Sequence, residues 1–131
     1  MTVTVSEMRD GLNVDLTGVY DDDGLVIVDL QGPAIADVAI ENTTLAHTND
    51  YIKNGDQVQV TATVSDGDPQ DLTTADIEAD LTGLGGAAAV HPDTYDAVTG
   101  LATWTIGAPG VTTTPADGTV TVTVSATDGS G

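Results

Sequence analysis

Gln57-Val58-Gln59-Val60-Thr61-Ala62-Thr63-Val64 places Val or Ala at every even position and Gln or Thr at every odd one. Successive side chains of an extended chain point to opposite faces, so this stretch is a β-strand with one apolar and one wet face. A sheet built from such strands must cover its apolar side, and the economical cover is a second sheet of the same kind. Val120, Val122 and Val124 repeat the pattern near the other end of the chain, as do Ala102, Trp104 and Ile106.

Working outward, period-two alternation predicts strands over 2–6, 12–16, 24–30, 35–42, 57–65, 76–81, 101–106 and 119–126, with a weaker one at 87–90. No window of helical length carries apolar residues at i, i+3, i+4 and i+7. Turn formers such as Asp10-Gly11, Asn54-Gly55-Asp56, Asp66-Gly67-Asp68-Pro69, Thr99-Gly100 and Asp117-Gly118 separate the strands. The expected fold class is all-β, an antiparallel sandwich. With 131 residues the chain has the length of one domain. Its interior must be made from Val, Ile, Leu and Ala, because there is no Phe, one Trp and three Tyr.

The charge is extreme: 21 acidic residues stand against 2 basic ones, a formal net charge of −19. Such a field repels phosphates and anionic lipid, so the sequence speaks against nucleic acid and against direct membrane insertion. It attracts cations. Acids gathered in loops suit either Ca²⁺ ligation or a solvated surface in salty water. Cysteine is absent, which removes disulfides and thiolate metal sites.

Four segments carry a resemblance. They are residues 51–66, running Tyr51-Ile52-Lys53-Asn54-Gly55-Asp56 into the octapeptide, together with residues 79–86, 99–105 and 118–128. Their order and spacing resemble the B, C, E and F regions of tandem Ig-like domains in large bacterial and archaeal surface proteins. The resemblance implies an Ig-like β-sandwich of about seven strands over residues 33–131, on an extracellular cell surface. It also implies one more strand after Ala126-Thr127-Asp128-Gly129, whereas the sequence ends at Gly131. Residues 1–32 read as the F and G strands of a preceding repeat, since Thr2–Ser6 and Thr121–Ser125 are both TVTVS.

The expectation is therefore a sandwich short of one strand, which would leave unpaired backbone and an apolar slot. Leu25, Val26, Ile27, Val28 and Leu30 form the polymerisation strand expected to fill it. That segment could fold back in cis or enter a neighbouring subunit in trans, or the chain could be one piece of a longer array. The partners expected are identical subunits or neighbouring repeats, joined head to tail.

Candidate sites follow from the loops. Asp66, Asp68 and Asp71 lie in one loop, and the Ig-like arrangement would bring Asp128 beside them as a Ca²⁺ site at a domain joint. The plain alternative is a set of Asx turns. Asp21-Asp22-Asp23 reads as a solvated turn, and His47 and His91 have no partner at metal-ligand spacing. Trp104 is expected in the core. Asn42-Thr43-Thr44 matches the glycosylation pattern at a strand end, which predicts Asn42 at the surface. No nucleophile motif or phosphate loop is present, so the expected role is structural rather than enzymatic. The competing function is an adhesive or carbohydrate-binding module, for which exposed aromatics would be the mark.

Overall fold

The computed structural model describes the backbone of residues 2–5 and 18–21, and residues 32–46, 51–67, 72–112 and 118–128 in full. Eight strands are formed among them. They are β1 (Thr2–Val5), β2 (Gly18–Asp21), β3 (Ala34–Asn42), β4 (Val58–Ser65), β5 (Ile77–Asp80), β6 (Thr94–Asp96), β7 (Leu101–Ile106) and β8 (Thr123–Ala126). The protein is all-β, and every strand pairing is antiparallel. β1 pairs with β2. The remaining strands form a four-stranded sheet in the order β3-β4-β7-β6 and a two-stranded sheet of β5 and β8.

β4 confirms the reading of the octapeptide. Val58, Val60, Ala62 and Val64 are each 0% exposed, while Gln59, Thr61 and Thr63 keep partial access to water. Its partner β7 turns Ala102 and Trp104 to the same side, with Val60 opposite Trp104 and Ala62 opposite Ala102. Small faces small, and the indole takes the width beside Val60. Across the core lie Ile77, Ala79 and Leu81 from β5 and its extension, joined by Leu72, Leu84 and Val111. Trp104 is buried, and its Nε1 donates to Val90 O at 2.8 Å, which satisfies the one polar atom it brings inside.

Two ends of this body can be distinguished. At the near end β3 begins and β4 finishes, Ala34 facing Ser65, and β7 begins at Leu101. At the far end Asn42 faces Val58 and Val58 faces Ile106. β5 runs from near to far: beyond it, Leu84 O accepts from Thr112 N, and the neighbouring Val111 N donates to Asp56 O just ahead of β4. β8, antiparallel to β5, therefore runs from far to near.

Several expectations change. Residues 18–21 and 94–96 form strands that alternation does not mark; at three residues β6 offers only Tyr95 as a partly buried side chain. The expected strand at 87–90 reduces to one bridge between Val90 and Ala79. The ladder of the last strand starts at Thr123 rather than 119. The expected strands at 12–16 and 24–30 lie outside the described residues, and with them Leu25, Val26, Ile27, Val28 and Leu30.

Candidate functional site

The two sheets are unequal, and the consequence is concentrated on one flank. β4 and β7 are central, and Val58, Val60, Ala62, Val64, Ala102 and Trp104 on their inward faces are buried. β3 stands at the sheet edge, and its register with β4 turns Ile35 and Ile40 toward the core side, opposite Val64 and Val60. Even so, Ile35 is 36% exposed and Ile40 only partly buried. A bulge follows, in which Asp37 and Val38 stand opposite the single residue Ala62; Asp37 has φ 51 and Val38 is 44% exposed.

Facing this edge from the other sheet is β8. Val120, Val122, Val124 and Ala126 pack against the core at alternate positions, yet all four remain only partly buried. Among the described residues β8 has one strand neighbour, β5. β3 approaches β8 on this flank. Among the described residues this leaves an apolar trough beside an unpaired strand edge, with Ile35 and Ile40 on one wall and Val120, Val122 and Val124 on the other.

The opposite edge of the small sheet is treated differently. Ala79 exchanges backbone hydrogen bonds with Val90, at 2.9 and 3.1 Å, and Leu81 N donates to Ala87 O at 2.9 Å. The chain from 81 to 90 thus folds over β5 and seals it, leaving Ile77 and Ala79 buried. Among the described residues one edge of the sheet is capped by local chain and the other is not.

Three of the described aspartates serve turns. Asp80 Oδ1 accepts from Thr82 Oγ1 at 2.6 Å and Thr82 N at 2.9 Å. Asp76 Oδ2 takes Thr73 Oγ1 at 2.6 Å and Thr73 N at 2.8 Å, closing a capping box. Asp96 receives Val98 N at 2.9 Å and Thr99 Oγ1 at 3.0 Å. In each case the donors favour the ionised form and hold the carboxyl below the ordinary aspartate range. Of the expected Ca²⁺ ligands, Asp66 and Asp128 are described and partly buried, while Asp68 and Asp71 lie outside the described residues. Burial raises the pKa of the Tyr95 phenol, with the Asp66 and Asp96 carboxylates adding to the effect. Among the described residues no three His, Cys, Asp or Glu converge as a metal group.

Asn42 is not at the surface. Register with Val58 turns it inward, and it is buried against Asp56. Its Nδ2 donates to both Tyr51 O and Asp56 Oδ2, each at 2.8 Å, so both amide hydrogens are engaged inside the fold. The folded chain does not present this nitrogen to a glycan. His91 is exposed; its Nδ1 lies 3.0 Å from Ile77 O and its Nε2 3.9 Å from Glu78.

Among the described residues no helix is long and apolar enough to cross a membrane. Comparison of the chain with protein-family models, curated proteins and solved structures returns no match.

Proposed function

We propose that the protein is a structural subunit or repeat of an extracellular cell-surface filament, sheath or stalk, joined head to tail by β-strand completion. The carrying observation is the contrast across one core: the inward β4 row is 0% exposed, while Val120, Val122, Val124 and Ala126 opposite it are only partly buried and, among the described residues, have no strand beyond them. A sheet edge with an apolar trough beside it binds extended chain through backbone hydrogen bonds and alternate side chains.

The strand orders support an Ig-like reading. On this reading the sheet β3-β4-β7-β6 corresponds to A-B-E-D and β5-β8 to C-F, with no strand in the place of G among the described residues. Buried Trp104 supports a scaffold over a sugar-stacking platform, because the one indole is spent on the core. Ca²⁺ between the 66–71 loop and Asp128 enters this reading on charge and donor type alone. Electron microscopy of the purified protein over a concentration series tests the function: fibres repeating at about one domain length support it, and folded monomers at every concentration overturn it.

A further inference from the structure

The direction of the trough decides which chain can fill it. A strand antiparallel to β8 runs from the near end to the far end. If residues 24–30 took that place across Val120–Ala126, Leu30 would finish at the far end, while β3 of the same chain starts at the near end with Ala34. Only Gln31, Gly32 and Pro33 lie between them. Four Cα steps reach at most about 14 Å. The return over the length of 120–126 is roughly 20 Å, with a chain reversal at each end. In that direction, the one taken by every pairing among the described strands, the connection cannot be made within one molecule.

We infer that the trough between β3 and β8 receives residues 25–30 of a second copy, antiparallel to β8, with Val26, Val28 and Leu30 pointing inward. This rests on the strand-completion reading above and specifies its partner. The facing follows from parity: the odd set is Leu25, Ile27 and Asp29, and burying it would take a carboxylate into an apolar slot. The even set is wholly aliphatic. Leu25-Val26-Ile27-Val28 is also the one run of four large aliphatic residues in a chain dominated by acids and small polar residues.

The same geometry fixes how the subunits stack. Leu30 ends at the far end of the acceptor, and three residues later the donor begins its own β3 at its own near end. Near end therefore meets far end, and the operation repeats without closing. Both ends carry exposed large apolar side chains suited to that contact. Leu45 and Tyr51 are 94% and 79% exposed between β3 and β4 at the far end, and Val98 is 95% exposed in the β6–β7 turn at the near end. The axial repeat lies between about 26 Å, the length of β3, and about 40 Å with the linker extended.

The chain has no cysteine, so engineered pairs report cleanly. Directly opposed residues on antiparallel strands place their Cβ atoms within disulfide reach. Two inward registers are available, Val28 beside Val122 or beside Val124. V28C protein is mixed with V122C or V124C protein and oxidised gently, with I27C as the outward-facing control. Intermolecular disulfide from V28C with one of the two partners, and none from I27C, is the expected result. V28D should abolish assembly while leaving Trp104 fluorescence unchanged, and I27D should be tolerated.

An intramolecular disulfide in a V28C/V122C or V28C/V124C chain, at the expense of the intermolecular one, would overturn the trans assignment. Fibres that persist in V28D with no cross-link would show that another strand fills the trough, sinking this inference and sparing the proposed function. Folded monomers at every concentration, with the Val122 and Val124 amides exchanging freely, would sink both.

Discussion

The side-chain amide of Asn42 donates to Asp56 Oδ2 at 2.8 Å, and both residues are almost wholly buried at the far end of the larger sheet. The same carboxylate oxygen accepts from Lys53 N at 3.1 Å, and Asn42 Oδ1 accepts from Thr44 N at 3.0 Å. Asp56 also receives Val111 N on its backbone carbonyl. This knot ties the end of β3, the approach to β4 and the segment after β7. Replacing Asp56 with Ala would strand the buried Asn42 Nδ2 and the part-buried Lys53 N, so a loss of roughly 1–3 kcal/mol is expected. Asn42→Asp would set two carboxylates face to face and should cost at least as much at neutral pH. Urea denaturation of the two variants measures both. A change below half a kcal/mol for Asp56→Ala would show that the knot is not structural.

Trp104 supplies the second test of packing. Trp104→Phe removes the hydrogen bond to Val90 O and leaves part of the indole volume empty, which should cost about 1–3 kcal/mol. The bond also anchors the segment that seals β5. Amide exchange at Ala79 and Val90 should therefore accelerate in this variant more than exchange at Val60. Equal effects at both places would mean that the bond does not hold the seal.

The central strands were legible because burial on one face imposes strict alternation, and β4 and β7 obey it residue by residue. β6 was not, since three residues cannot display a period. Asn42 shows a signal present and overlooked: it shares parity with Ile40, which alternation already turns inward, and Asp56 supplies a partner fourteen positions on. The glycosylation pattern is defined by Thr44 two positions on and carries no information about phase. The β8 side of the trough follows from Val120, Val122 and Val124. The β3 side, and the seal of the opposite edge by residues 81–90, depend on which strands are neighbours, which no local pattern encodes.

Acid should remove a defined part of the stability. Asp76, Asp80 and Asp96 have folded pKa values lowered from 3.8 by hydrogen bonds from Thr73, Thr82 and the Val98–Thr99 pair. A depressed carboxylate contributes stability that is fully present above its unfolded pKa and is lost as pH falls through the folded one. The three sites are exposed, so the contribution is modest. A variant with all three replaced by Asn should melt below the wild type at pH 6, with the gap closing as pH drops beneath 3.8. A gap that stays constant down to the acid limit would mean that charge plays no part in these turns.

The net charge of −19 makes salt the last and broadest lever. Self-repulsion among carboxylates opposes the compact state and also the meeting of two identical subunits. Raising NaCl from 0.01 to 1 M shortens the Debye length from about 30 Å to about 3 Å, so both Tm and assembly should increase with salt. Screening depends on ionic strength, whereas a bound ion acts through its own affinity. Millimolar Ca²⁺ added at fixed ionic strength therefore separates the two effects. A rise in Tm with Ca²⁺ that Mg²⁺ does not reproduce, lost in D66N or D128N, would place an ion at that joint; equal curves for both ions, unchanged by chelation, would remove it and leave screening alone.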